Sequence, residues 1–259
     1  MKLRSLFRII RPGNVLKSKF GWCPVCQMRT LFLPIDSIDT IRNHALCIRC
    51  RSVSRNRHLA LWVGREMHHL GINGPKDFRN HPEIKVFNAS SVSATARALG
   101  RASNIICSEY FDGVEPGALK NGVMNQDLRR LTFQDNSLDL VLTEDVFEHV
   151  PEYREGFREV HRVLRPGGWH IFSIPYYFDF KTRDLFEISE GKLILQKPIE
   201  YHGDPVRGDI PCFVHFGYDL LEFHRSLGFD IRVEWARYAD IRKFGVFDCY
   251  TLIARKKMF

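Results

Sequence analysis

The chain has 259 residues, 44% of them hydrophobic, and a formal net charge of +8. That size suits one α/β domain with a sizeable core and a small appendage. No apolar run approaches the length of a membrane span, and residues 1–20 hold only a broken apolar stretch with no secretory core, so the expected location is cytoplasmic.

Taken in chain order, residues 1–20 read as a basic lead segment or short amphipathic helix. Residues 1–65 carry thirteen Lys/Arg against two acids, Asp36 and Asp39. The plain reading is a solvated basic face, and the sharper one a surface for nucleic acid, anionic lipid or a phosphorylated sugar. Residues 21–52 hold Cys23-Pro24-Val25-Cys26 and Cys47-Ile48-Arg49-Cys50 in a C-x2-C-x20-C-x2-C pattern. Two thiolates on each of two tight turns can close a tetrahedron of soft ligands, so Cys23, Cys26, Cys47 and Cys50 are expected to hold a structural zinc. A redox CxxC is the rival reading. Cys107, Cys212 and Cys249 sit in apolar surroundings and are expected in the core.

Ser54 is positioned to cap a helix that runs to about Leu70, with Leu59, Trp62, Val63, Met67 and Leu70 on one face and Gly71 ending it. His58, His68 and His69 lie on this helix, His58 near the basic cluster Arg49, Arg51, Arg55 and Arg57. A turn-rich loop follows over residues 73–82. Strands are expected at 84–88, 104–109 and, weakly, 122–125, with a short helix from Ser93 to Leu99 closed by Gly100. Gln134 to Ser137 is a turn and Leu138 to Leu142 an apolar strand. Pro151 opens a helix with Tyr153, Phe157, Val160 and Leu164 at helical spacing. Arg165-Pro166-Gly167-Gly168 stops it, and Trp169 to Ile174 forms the next strand. Strand, helix, glycine turn and strand make a βαβ crossover and so a parallel sheet. Residues 176–216, aromatic and broken by Pro198, Pro205 and Pro211, read as an insertion over the active face. A helix over 219–227 and strands over 229–235 and 246–254 complete the chain.

Asp135-Asn136-Ser137-Leu138-Asp139-Leu140-Val141, Glu148-His149-Val150 and Arg162-Val163-Leu164-Arg165-Pro166-Gly167-Gly168 fall in order and at matching intervals. The set resembles the S-adenosylmethionine-dependent methyltransferases of the Rossmann-like class, whose fourth strand follows D-N-S-F-D-x-V, continues into E-H-V and leads through R-V-L-x-P-G-G to the fifth. The resemblance implies a seven-stranded, doubly wound, mostly parallel sheet whose last strand is antiparallel. It implies a small N-terminal zinc-ribbon module over residues 1–70 and a methyltransferase domain over 71–259. Ser52-Val53-Ser54-Arg55-Asn56-Arg57 is similar to the S-x-x-R-x-R segment after the second CxxC of a subset of zinc-ribbon methyltransferases.

Ligands of open α/β sheets bind outside the carboxyl ends of the strands. Those ends are Asn88-Ala89-Ser90-Ser91, Glu109, Asp127-Leu128 and Thr143-Glu144-Asp145. Glu109 follows Asn88 by twenty-one residues, a spacing that suits an acid gripping ribose hydroxyls. The resemblance gives Glu109 that role and sets Asp127, with Leu128, against the adenine. The first loop departs from the family's G-x-G-x-G, reading Asn88-Ala89-Ser90-Ser91-Val92-Ser93. Asp145, Glu148 and His149 form a D-x-x-E-H group at the mouth of the fourth strand. His149 suits a general base, and the plainer reading is that Glu148 and His149 only orient the turn. The trio also resembles the E-x-x-E-H group by which some quinone O-methyltransferases bind a divalent metal. Tyr176, Tyr177 and His215 are further substrate-side candidates. The expected function is methyl transfer from S-adenosylmethionine to a small or carbohydrate-like acceptor. RNA methylation with the basic ribbon gripping phosphate, and a non-catalytic binding protein, are the alternatives.

Overall fold

The computed structural model describes residues 19–34, 44–189, 192–204 and 206–258. The basic lead segment therefore lies outside the described residues apart from Lys19 and Phe20, as do Asp36 and Asp39. In chain order the elements are β1 (Lys19–Cys23), β2 (Met28–Leu33), β3 (Leu46–Cys47), α1 (Ser54–Met67), β4 (Val86–Asn88), α2 (Ala94–Leu99), β5 (Ile105–Glu109), β6 (Leu119–Lys120), β7 (Val123–Asn125), β8 (Leu138–Glu144), α3 (Tyr153–Val163) and β9 (Leu164–Ser173). There follow β10 (Arg183–Asp184), β11 (Phe186–Ser189), β12 (Lys192–Leu195), β13 (Tyr201–Asp204), β14 (Gly208–Pro211), β15 (Val214–His215), α4 (Leu220–Ser226), β16 (Phe229–Trp235), α5 (Tyr238–Phe244) and β17 (Tyr250–Lys256). The chain divides into two compact units, residues 1–82, 93–103 and 233–251 in the first and residues 83–92, 104–232 and 252–259 in the second. The first unit is thus discontinuous in sequence.

In the first unit β1, β2 and β3 form an antiparallel sheet in that order. Val53, not Ser54, takes the capping position of α1. Ser54 is buried as the first helical residue, and its hydroxyl donates to Phe247 O at 2.9 Å. The helix ends at Met67, and a short 3-10 turn over His68–Leu70 leads to Gly71 at φ 82°, the left-handed stop that glycine tolerates. Ser93 caps α2, its hydroxyl accepting from the Ala96 N–H at 3.0 Å. His58, expected beside a basic surface, is fully buried instead. Trp62 Nε1 donates to His58 Nε2 at 3.1 Å, so Nδ1 carries the proton toward Thr251 Oγ1 at 2.8 Å. The bond from Trp62 requires the neutral ring, and burial lowers its pKa to about 4.

The second unit is built on the large sheet, ordered β16-β17-β9-β8-β4-β5-β7-β6. β7, β5, β4, β8 and β9 run parallel, and β17 runs antiparallel to β9, the Rossmann-like methyltransferase architecture. The eighth strand, β6, is a two-residue antiparallel addition at one edge. The β8–α3–β9 crossover forms as its pattern dictates, α3 burying Tyr153, Phe157, Val160 and Val163. The Arg-Pro-Gly-Gly run is not a separate turn. It lies inside β9 as a bulge, with the register stepping from Leu138–Leu164 to Leu140–Trp169 and Gly167 at φ 80°. Leu164, expected on the helix, begins the strand. The insertion is not loop alone: β10 pairs with β15, β11 with β12 and β13 with β14, all antiparallel. No helix among the described residues is long and apolar enough to cross a membrane.

The neutral His58 sets a pH dependence. Its folded pKa, about 4, lies below the ordinary 6.5, so the unfolded chain binds more protons between those values and stability falls as pH falls through that window. At pH 5 the His58 share is about 2 kcal/mol. Urea unfolding at pH 7 and pH 5 will show a drop that is smaller in His58→Gln; an equal drop in both proteins would contradict this burial.

Candidate functional site

Each of the five parallel strands ends in a polar residue: Asn125, Glu109, Asn88, Glu144 and Ser173. Apolar side chains fill the strands behind them, so polar groups collect along one rim of the sheet, where open α/β sheets bind ligands. The residues expected to hold a cofactor from strands one, two and four lie on this rim, and Asp127 and Leu128 follow two residues beyond Asn125.

Asn88 is buried, and its Nδ2 donates to Ser90 O at 2.6 Å. Its Oδ1 is buried and accepts no hydrogen bond among the described residues. The Ala89 N–H donates to Leu142 O at 3.0 Å, which pins the glycine-free loop to β8. Glu109 is occupied on one side: Oε1 accepts from the Ser91 N–H at 2.6 Å and the Ser91 hydroxyl at 2.9 Å. That contact, invisible in the strand pattern, fixes the carboxylate through Oε1. Asp127 is clasped by Arg129, whose Nη2 reaches Oδ2 at 2.7 Å and whose Nε reaches Oδ1 at 3.0 Å. Burial works to raise this carboxyl, but the bonds from Arg129 outweigh it and hold the pKa below its usual value. Leu128 is buried. Thr143 Oγ1 lies 3.1 Å from His170 Nε2, and Glu144 closes β8.

Of Asp145, Glu148 and His149, the last two come together, with His149 Nε2 3.9 Å from Glu148 Oε1, and Asp145 turns away. Asp145, at φ 52°, turns to Ser173, whose hydroxyl donates to Oδ1 at 2.7 Å. Glu148 is fully buried on the 3-10 turn Phe147–His149. His149 Nδ1 lies 2.8 Å from Pro211 O and can only donate to it, so Nε2 is the lone-pair nitrogen. Burial lowers the His149 pKa to about 4. The insertion adds His202 and Glu200, neither marked by a sequence motif, to the expected His215, Tyr176 and Tyr177. His202 Nε2 lies 2.9 Å from Glu200 Oε1, and His215 Nε2 lies 2.7 Å from Glu200 Oε2. Tyr177 stacks on Phe180, its ring centroid 5.2 Å from His215, and Tyr176 is buried against Phe178.

In the first unit the four cysteines come together, with Cys23 Sγ 3.7 Å from Cys50 Sγ and Cys26 Sγ 4.0 Å from Cys47 Sγ. Four sulfurs about 2.3 Å from one zinc would stand about 3.8 Å apart, so the cluster has the dimensions of that tetrahedron. The two knuckles match locally: the residue after each second cysteine, Gln27 and Arg51, is left-handed at φ 49° and 61°. Hydrogen bonds from the other three thiols hold Cys47 well below the usual thiol range. Cys212 and Cys249 are buried as expected, and Cys107 is half-buried.

Arg57, read from the sequence as part of a basic surface, is fully buried. It donates only to carbonyls, those of Ser52 (2.5 Å), Ala45 (2.5 Å), Gly245 (2.6 Å) and Phe244 (3.0 Å), and its guanidinium lies over the Phe32 ring at 4.5 Å. No carboxylate pairs with it among the described residues. A buried cation without a counter-ion is costly, and a four-thiolate metal centre carries the negative charge that is missing.

Residues 91–172 match the family described as "Methyltransferase domain". The match covers about a third of the chain, and the strand order of the large sheet is that of the Rossmann-like methyltransferase fold. A stretch of 46 residues is 41% identical to demethylmenaquinone methyltransferase of Staphylococcus epidermidis, covering 18% of this chain and 19% of that protein. The chain thus spans about a fifth of the length of the curated relatives it matches. Among solved structures, an S-adenosylmethionine-dependent methyltransferase from Mesorhizobium loti aligns at 17% identity over 67% of this chain and 91% of its own, with a TM-score of 0.40. The 1,6-didemethyltoxoflavin-N1-methyltransferase of Burkholderia thailandensis, bound to 1,6-didemethyltoxoflavin and S-adenosylhomocysteine, aligns at 15% identity over 88% of this chain and 96% of its own, with a TM-score of 0.38.

Proposed function

We propose that the protein is an S-adenosylmethionine-dependent methyltransferase acting on a small-molecule or carbohydrate-like acceptor, with a structural zinc on Cys23, Cys26, Cys47 and Cys50. The observation that carries the reading is the rim itself: a family match over residues 91–172 takes in the ends of β5, β7 and β8, and Glu109 there closes the strand paired with β4, whose Asn88 Oδ1 is buried and accepts no hydrogen bond among the described residues. Both suit a ligand rich in hydroxyl and ammonium donors, which is the polar character of S-adenosylmethionine.

When bound, that cofactor supplies a methyl group already activated on a sulfonium. The protein's part is to bind, orient and exclude water. We assign Glu109 Oε2 to a ribose hydroxyl and Asp127 with Leu128 to the adenine, Arg129 fixing the carboxylate. Asn88, Ala89 and Ser90 line the methionine part, where small side chains replace the missing glycines, and Thr143 and Glu144 border the mouth of β8. An acceptor hydroxyl or amine must lose a proton, and His149 Nε2, a lone pair at neutral pH, is the group we assign to accept it, with Glu148 beside it. Asp145 positions the chain through Ser173 rather than touching the acceptor.

Calorimetric titration with S-adenosylmethionine is expected to show one site per chain in the wild type and affinity lowered about tenfold to a hundredfold in Glu109→Ala, the loss of one charged hydrogen bond. Equal affinities would remove the ribose assignment. Metal analysis is expected to give about one zinc per chain. Arg57→Met should release that zinc to a chelator about tenfold faster, since Cys23, Cys47 and Cys50 lose the buried positive charge that acts on them; release at the wild-type rate would separate Arg57 from the metal.

A further inference from the structure

The β13–β14 hairpin places a second set of metal donors at the mouth of β8. Glu148 Oε1 lies 3.9 Å from His149 Nε2 and 4.0 Å from His202 Nδ1. The three donor atoms all lie within 4.8 Å of one another. The two imidazoles stand edge to face, with centroids 5.0 Å apart, so both lone pairs can address one point beside the carboxylate.

We propose that Glu148, His149 and His202 bind one divalent first-row metal ion, such as Mn²⁺ or Co²⁺, at a site separate from the four cysteines. Two imidazoles and one carboxylate are a borderline N/O set suited to these ions. A tetrahedral centre with donors at about 2.1 Å has edges of about 3.4 Å, so binding draws the three atoms inward by roughly half an ångström.

The supporting contacts are those a ligating histidine needs on its other nitrogen. His149 Nδ1 donates to Pro211 O at 2.8 Å, and His202 Nε2 is held by Glu200 Oε1 at 2.9 Å. Each contact turns the opposite nitrogen toward Glu148. The backbone fixes the arrangement: the Phe213 N–H donates to Glu148 O at 2.7 Å, the Cys212 N–H donates to Glu200 O at 2.8 Å, and His202 pairs with Ile210 across the hairpin. Asp145, the third member of the sequence motif, is not a ligand because its carboxylate faces Ser173. His202 lies outside that motif and comes from the insertion.

Three protein ligands leave open positions on the ion. The proton-accepting role assigned above to His149 Nε2 belongs to the metal-free chain, since with the ion bound that nitrogen would be a ligand. A hydroxyl held at an open position would then be acidified by the ion and lose its proton to solvent, and this last step alone rests on the methyl-transfer reading.

The test adds Co²⁺ to the zinc-loaded full chain and follows visible absorption at equilibrium. The expected result is uptake of one further ion per chain, with the weak bands of an N/O site and no thiolate charge-transfer band. His202→Ala and Glu200→Gln, both half-exposed or exposed positions on the hairpin, should each weaken Co²⁺ binding about tenfold to a hundredfold while zinc content and circular dichroism stay unchanged. No uptake at millimolar Co²⁺, or wild-type affinity in either variant, would overturn the site. None of these readouts requires S-adenosylmethionine, so they stand whether or not the chain proves to bind it.

Discussion

Parallel pairing of apolar strands is the constraint on which the second unit depends. β4, β5, β8 and β9 are closed on their neighbours by backbone bonds and carry buried Val86, Phe87, Leu140, Val141, Ile171 and Phe172. Such strands leave polar chemistry no place except their ends. Because they run the same way, those ends line up, and Asn88, Glu109, Asn125, Glu144 and Ser173 form one rim rather than scattered sites. The groups there are held by local contacts, Ser91 on Glu109, Arg129 on Asp127 and Ser173 on Asp145, which preorganise the acids before any ligand arrives.

The first unit answers a different problem. Its three-stranded sheet is small, and β3 has only two residues. The core it makes is assembled around Cys23, Cys26, Cys47, Val25 and Phe32. Arg57 sits beneath this cluster as a buried cation bonded to four carbonyls. A metal held by four thiolates would supply both the cross-link and the opposite charge, so the two oddities of the unit, a tight sulfur cluster and a lone buried guanidinium, explain each other.

Much of this was legible in the residues. The βαβ crossover from Leu138 to Ser173 follows from apolar runs, a helical stripe and a glycine stop, and the cysteine spacing reports a tetrahedral cluster directly. What escaped depends on partners distant in sequence. Arg57 and Ser54 look like surface and cap residues until Gly245 and Phe247 arrive from the other end of the chain. The Arg-Pro-Gly-Gly run is turn chemistry that a neighbouring strand converts into a bulge. The hairpins of residues 183–215 have strands of two to four residues and are interrupted by prolines, too short to mark a strand, and α5 is a seven-residue helix with too few turns to show a stripe. The same blindness hid His202 and Glu200, since neither lies near Glu148 in sequence.

The central claim is that a nucleoside-bearing cofactor lies along the rim formed by the ends of β4, β5 and β7. Ultraviolet crosslinking of radiolabelled S-adenosylmethionine to the full chain, followed by peptide mapping, tests it most directly. The account predicts label on the peptides that carry Asn88 to Ser91, Glu109 and Asp127 to Leu128, competed away by unlabelled S-adenosylhomocysteine. Label confined to other peptides, or none above an uncompeted background, would contradict it.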